Sequence, residues 1–159
     1  MTSNDLMLIL DKHQLWLESK GEEGEQAELE EYDLSGVDLS GANLEEAQMY
    51  GATLTGANLS GANLEGANLI DAILEGANLS GANLTNACLE GANLKDVDLT
   101  GANLKGADMN CNSLEGAKFT TEIKDANRFG HCEISEDQLP WLSLHPFFQQ
   151  FYPTLTMFV

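Results

Sequence analysis

Hydrophobic and polar positions along most of this chain repeat every five residues. Residues 55–69 read TGANLSGANLEGANL, in which Ala and Leu each recur at every fifth position. Neither an α-helix, with about 3.6 residues per turn, nor a strand, with a side-chain repeat of two, has this period. The pattern therefore predicts a repeat architecture, in which one short unit is stacked many times.

Nineteen consecutive units follow the pattern, with central residues spaced five apart from Leu29 to Phe119. Sixteen centres are Leu, and the residue two positions earlier is Ala in fifteen units. A small and a large residue two apart point to the same side of extended backbone, and the Gly and polar residues that follow favour a turn. Four units then close a square coil around the Leu side chains, and successive coils stack about 4.8 Å apart.

The unit A-(N/D)-L-x-x resembles the signature of the pentapeptide repeat proteins over about residues 27–121. The resemblance implies an all-β solenoid, a right-handed quadrilateral β-helix. We therefore divide the chain into an N-terminal capping helix with an acidic connector (1–26), the β-helix (27–121), and a C-terminal cap with an aromatic tail (122–159).

Residues twenty apart are expected to lie directly above one another. One predicted core ladder consists of Leu34, Leu54, Leu74, Leu94 and Leu114. On the outside, a ladder of Asn43, Asn63, Asn83 and Asn103 is expected to hydrogen-bond along the axis. Such ladders hold neighbouring coils together by hydrogen bonds. The alternative is that the ladder forms a flat template that orders water or a ligand.

The ends of the repeat region need covers, because an open β-helix end exposes core and backbone. Residues 4–19 predict a helix over the first coil, with Ser3 or Asn4 as N-cap and Gly21 as stop. Its apolar face contains Leu6, Ile9, Leu10, His13 and Leu17.

The C-terminal tail is dense in aromatic residues. Ser135 and Gln138 resemble a capping box that starts a short helix, which Pro140 ends. The tail residues that we expect to form a cap or a dimer contact are Trp141, Phe147, Phe148, Phe151, Tyr152 and Phe158. Three alternatives remain open: the tail folds back over the last coil, packs against a second copy, or docks on a partner. The resemblance implies an aromatic dimer interface at this end.

The chain is strongly acidic. It contains 26 Asp and Glu residues against 7 Lys and Arg, for a formal charge of −19. Residues 21–94 contain fourteen carboxylates and no Lys or Arg. Direct binding to nucleic acid or to an anionic membrane is therefore not expected, because each requires a basic patch. The acidity indicates either a solvated surface or a docking surface for a basic protein partner.

Candidate chemistry is sparse. His13, His131 and His145 lie far apart in the sequence, and the three cysteines show no paired spacing. We predict no catalytic, cofactor or metal site. The N-terminus lacks the features of a signal peptide, and a reducing, cytoplasmic setting is expected.

One spot interrupts the polar exterior. Tyr50 and Ile70 are twenty residues apart and are flanked in the same register by Glu30 and Glu90. Ile73 is a further apolar interruption nearby. We interpret the first four residues as a candidate partner contact on a non-enzymatic, acidic scaffold for protein–protein interaction.

The resemblance also implies an alternative function. Quinolone-resistance pentapeptide proteins resemble this chain in fold and acidity, and their family role is to mimic duplex DNA at the DNA-binding saddle of gyrase. This chain has fewer coils than those proteins, lacks a projecting loop and begins with a predicted helix that they do not share.

Overall fold

A computed structural model describes residues 2–110 and 112–119 of the protein. The first element is a helix, α1, at Ser3–Ser19. Thr2 is its N-cap: the Thr2 hydroxyl accepts a hydrogen bond from the Asp5 N–H, and the Asp5 carboxylate accepts one from the Thr2 N–H at 2.9 Å. The expected N-cap at Ser3 or Asn4 is wrong, because an acidic residue three positions after Thr2 completes a capping box there.

The end of α1 uses two left-handed residues. Lys20 has φ 58° and Gly21 has φ 86°. The Gly21 N–H donates to the Trp16 carbonyl at 2.8 Å, which satisfies one of the carbonyls that the end of a helix leaves unpaired.

After the connector, parallel β-bridges join residues that are twenty apart, as in Asn43↔Asn63 and Asn63↔Asn83. Two short strands, β1 (Asp98–Leu99) and β2 (Lys118–Phe119), pair in the same parallel register. A twenty-residue register means that each coil contains four pentads. The predicted β-helix of pentapeptide repeats is confirmed.

Hydrogen bonds of two kinds build each coil. Between coils, the Leu54 N–H donates to the Ile73 carbonyl at 2.7 Å. Within a coil, the Ala57 N–H donates to the Leu54 carbonyl at 3.0 Å and closes the corner. Gly56, at the third position of this turn, has φ 64°, a conformation in which glycine avoids a Cβ clash.

The core is a continuous column of Leu and Ala side chains inside the coils. The predicted ladder is at most 1% exposed at every one of its members: Leu34, Leu54, Leu74, Leu94 and Leu114. Among the residues that the structure describes, Asn112 is the one polar side chain inside the coils, and its amide donates to the Ala92 carbonyl at 3.2 Å.

α1 lies against the first coil. Leu6 belongs to the same buried cluster as the repeat leucines, and Ile9 and Leu10 pack against that cluster. The connector returns close to the helix, and the Glu25 N–H donates to the Lys12 carbonyl at 3.2 Å. Gly24 permits this approach, because a Cβ there would lie 2.2 Å from the Lys12 carbonyl oxygen.

The C-terminal predictions lie outside the described residues. These are the short helix near Ser135 and the cap or dimer residues Trp141, Phe147, Phe148, Phe151, Tyr152 and Phe158.

Candidate interaction surface

Exposed apolar side chains concentrate in two places. Among the described residues, six large apolar side chains are exposed, and three of them, Met7, Leu8 and Leu15, lie on α1. The other three, Tyr32, Tyr50 and Ile73, lie within the first three coils. In the twenty-residue register, these three surround one corner of the β-helix.

The main chain places the predicted contact residues in one column. The Gly51 N–H donates to the Ile70 carbonyl at 2.9 Å, and the Asp71 N–H donates to the Glu90 carbonyl at 2.9 Å. Glu30, Tyr50, Ile70 and Glu90 therefore follow one another in successive coils. Tyr50 and both glutamates are exposed, whereas Ile70 is half-buried.

Ile73 adds to this surface, although it is not one of the four residues predicted to form the partner contact. It forms β-bridges with Thr53 and Asn93, and 41% of its side chain is exposed. Asp71 and the buried Ala72 separate it from Ile70, so the two isoleucines flank one turn. The sequence signal was an Ile at a unit position that is usually Asn or Asp. We name Tyr50, Ile70 and Ile73 the apolar corner.

Carboxylates surround the apolar corner. In the twenty-residue register, the exposed acids at positions close to this corner are Glu30, Glu31, Asp33, Asp71, Glu75 and Glu90. The Ser35 hydroxyl and N–H donate to Asp33 at 2.6 and 3.0 Å, and these bonds lower the pKa of that carboxyl. The nearest lysine along the chain, Lys95, lies 3.5 Å from the Glu115 carboxylate. Among the described residues, no ion pair joins these acids to a lysine or arginine, and the surroundings of the corner carry negative charge.

The asparagine ladder on another face forms side-chain hydrogen bonds between successive coils. Asn63, Asn83 and Asn103 each donate from Nδ2 to the Oδ1 of the asparagine twenty residues earlier, at 3.0, 2.9 and 3.3 Å. Each Oδ1 of Asn43, Asn63 and Asn83 also accepts the N–H two residues later. These hydrogen bonds link successive coils. They also occupy the amide oxygens that a ligand would need, so the role of the ladder is structural.

A second ladder carries an acid at its first position. The Asn58 amide donates to the Asp38 carboxylate at 3.0 Å, and the Ser40 N–H donates to it at 3.1 Å. Hydrogen bonds from Ser40, with a smaller effect from Asn58, lower the pKa of Asp38. Asp98 has a lowered pKa for a similar reason, chiefly its hydrogen bonds from Thr100.

His13 lies where α1 meets the first coil. It is fully buried, its Nδ1 accepts the Ala27 N–H at 3.1 Å, and its ring stacks on Trp16 with centroids 5.8 Å apart. Burial lowers the pKa of His13, against an opposing effect of the Glu45 main chain and of the Glu45 and Glu46 carboxylates. The imidazole is therefore neutral at neutral pH and joins the helix to the coil.

Two grooves, of about 450 and 440 Å³, flank α1. Lys12 lines the first groove, and Glu25 holds its ammonium at 2.8 Å. Within residues 2–110 and 112–119, no group of three His, Cys, Asp or Glu side chains is arranged to hold a metal ion. No helix in the same part of the chain is long and apolar enough to cross a membrane.

Comparison with known proteins agrees with this architecture. The family model for pentapeptide repeats matches the chain in eight copies, over residues 25–61, 33–69, 62–101 and 87–121. The chain belongs to the pentapeptide repeat family. Among curated proteins, none matches the sequence significantly.

Solved structures share the fold. A pentapeptide repeat protein from the thylakoid lumen of Arabidopsis thaliana is 28% identical, with a TM-score of 0.58 over 73% of this chain and 74% of that one. QnrB1, a plasmid-mediated fluoroquinolone resistance protein, is 16% identical, with a TM-score of 0.53 over 78% of this chain and 74% of that one. At this identity the second likeness is one of fold alone.

Proposed function

We propose that this protein is a non-enzymatic scaffold that binds another protein through the apolar corner and its acidic surroundings. The observation that carries this proposal is the clustering of Tyr50, Ile70 and Ile73 on a wall that is otherwise polar. Scattered apolar side chains are ordinary on a protein surface, but a contiguous patch rimmed by polar groups marks an interaction site.

The architecture suits such a role. Main-chain hydrogen bonds between coils hold the backbone at Tyr50 and Ile70 in fixed register, so the backbone of this surface does not have to become ordered on binding. The surrounding carboxylates favour a basic partner and accelerate its encounter. Of the two grooves beside α1, neither is lined by Tyr50, Ile70 or Ile73.

The test uses the full chain as bait in an extract of its native host. We expect a partner that is retained by the unmodified chain and lost with Ile70→Ser/Ile73→Ser. Glu30→Gln/Glu90→Gln should weaken retention, whereas Glu22→Gln/Glu23→Gln, with the same change in net charge on the connector, should not. Equal loss with both glutamine pairs would show that only net charge matters.

The proposal also includes the cellular location of the protein and the roles of the two ends of the β-helix. We place the scaffold in the cytoplasm, because its three cysteines show no paired spacing. We propose no direct binding of nucleic acid and no membrane association, because its charge is strongly negative. We infer that the coils wind right-handed, as the family implies, and that α1 caps the first coil. We further propose that the aromatic tail closes the other end and joins two copies of the chain.

DNA mimicry is the second candidate, and charge density favours it. Between residues 27 and 119, fifteen carboxylates and three lysines leave a formal charge of −12. Over about 4.6 coils at about 4.8 Å each, this is roughly one net charge per 1.9 Å, close to the value of about 1.7 Å for duplex DNA. A gyrase supercoiling assay tests this candidate; absence of any effect at micromolar protein would exclude it.

A further inference from the structure

We infer that the apolar corner receives an extended segment with the pattern Arg-x-Leu-x-Arg, lying along the β-helix axis. This inference rests on the proposed function and specifies the partner. It follows from the order of side chains in one column, from their spacing and from their charge.

The column alternates charge and apolar surface in a definite order. Glu30 comes first, Tyr50 and Ile70 follow, and Glu90 comes last, each in the next coil. Ile73 widens the apolar middle around the corner, with its side chain 41% exposed. A complementary ligand therefore has a cation at each end and an apolar group between them.

The spacing selects an extended ligand. Glu30 and Glu90 are three coils apart, which is about 14 Å at the strand spacing of about 4.8 Å. In an extended peptide, residues i, i+2 and i+4 point to the same side, and the first and last are about 13 Å apart. Two cations at i and i+4 thus reach both glutamates, and the residue at i+2 lies over Tyr50 and Ile70. A helix places residues i and i+4 only about 6 Å apart, so two cations with this spacing would not reach both glutamates if the segment were helical.

The chemistry favours arginine over lysine at the cationic positions. A guanidinium binds a carboxylate through two parallel hydrogen bonds, and it also stacks on an aromatic face such as that of Tyr50. Asp71 supplies a further carboxylate beside this column. A Cβ on Gly91 would lie 2.3 Å from Asp71 Oδ1, which shows that the Asp71 side chain extends towards the coil that contains Glu90.

Residues 21–94 contain neither Lys nor Arg, and in the part of the chain that the structure describes Glu30, Asp71 and Glu90 form no ion pair. Lys95 lies in the following unit, with its ammonium 3.5 Å from Glu115. The carboxylates beside the apolar corner therefore favour a cationic partner.

The experiment measures binding of fluorescent heptapeptides to the full chain by anisotropy at low and physiological salt. The probe Ser-Arg-Ser-Leu-Ser-Arg-Ser is compared with its isomer Ser-Ser-Arg-Leu-Arg-Ser-Ser and with a form in which Ser replaces Leu. We expect the probe to bind at least about tenfold more tightly than either control peptide, because only the probe reaches both glutamates and the apolar middle together.

Variants of the protein locate the site. Glu30→Gln/Glu90→Gln should abolish the preference for the probe over its isomer, while Glu22→Gln/Glu23→Gln should retain it. Ile70→Ser/Ile73→Ser should weaken binding of the probe by removing the apolar middle. Because Ile70 is half-buried and its replacement can lower stability, Tyr50→Ser is tested as well, since it changes an exposed side chain. Equal affinity for probe and isomer would overturn the inference. The proposed function is tested separately by capture of a host partner. It would stand if that capture depended on the apolar corner, and it would fail if the capture did not depend on the corner.

Discussion

The side-chain amide of Asn63 donates from Nδ2 to the Oδ1 of Asn43, twenty residues earlier, over 3.0 Å. Asn63 Oδ1 in turn accepts from Asn83 Nδ2 at 2.9 Å and from the Glu65 N–H at 3.3 Å. Asparagine can donate and accept at once, whereas a carboxylate only accepts. An acid therefore suits the first position of a ladder, as Asp38 does below Asn58.

Asn63→Asp is expected to destabilise the fold. The change removes the Nδ2 group that donates to Asn43 Oδ1 and places a carboxylate next to that oxygen. The free energy of unfolding should fall by about 1–3 kcal/mol, measured by urea denaturation. Asn43→Asp is the matched control, since residue 43 begins its ladder and would still accept from Asn63. Equal losses for the two variants would contradict the direction assigned to the ladder.

Leu74→Ala is expected to lower the free energy of unfolding by about 2–5 kcal/mol, because neighbours held in register cannot collapse into the cavity. Leu74 is fully buried, whereas Leu8 on α1 is 57% exposed. Leu8→Ala should therefore change stability by no more than about 0.5 kcal/mol. An unchanged melting temperature for Leu74→Ala would be inconsistent with the core described above.

His13 makes the attachment of α1 sensitive to pH. Burial lowers its pKa in the folded chain, so the unfolded chain binds the proton more readily, with a pKa of about 6.5. The stability that the neutral imidazole contributes is complete above that value and is lost as the pH falls through the lower folded pKa. Protonation of Nδ1 would also end its hydrogen bond with the Ala27 N–H.

The measurement compares the unmodified chain with His13→Leu by thermal unfolding between pH 7.5 and 5. The variant lacks the titrating group, so the free energy of unfolding of the unmodified chain should fall relative to that of the variant as the pH falls. The comparison cancels contributions from His131 and His145. A difference that stays constant over this range would show that His13 does not titrate in a way that is linked to folding.

Deletion of residues 1–20 should expose the first coil and cause aggregation, while the remaining repeats still form. Light scattering and circular dichroism report these two properties. The control is Met7→Ser/Leu8→Ser, which changes exposed side chains of α1 and should leave the protein unaggregated. A truncated chain that is monomeric and equally stable would show that α1 is no cap.

The tail prediction concerns residues beyond 119. An aromatic side chain can bury on the order of 150–250 Å², so the six aromatic residues expected in the cap would together bury more area than we expect one coil end to cover. We therefore expect light scattering to report a dimer, and Phe148→Ser/Phe151→Ser to yield monomer or insoluble protein. A monomer at high concentration of the unmodified chain would eliminate the dimer and leave only the cap.

Much of the fold was predictable from the sequence, because in a repeat protein each unit contacts only its neighbours and sequence spacing maps directly onto space. A period of five with four units per coil sets the register of twenty, and the register alone determines which residues share a column. The column from Glu30 to Glu90 and the asparagine ladder both follow from it.

Only the tertiary structure decided the features that have no period. The approach of Gly24 to Lys12 and the hydrogen bond between His13 and Ala27 depend on how one helix docks on one coil, which no repeat specifies. Likewise, the inclusion of Ile73 in the apolar corner depends on the angle at which the chain turns after Ile70. Local spacing determines which residues stack, whereas docking and exposure depend on contacts between segments whose sequences carry no common pattern.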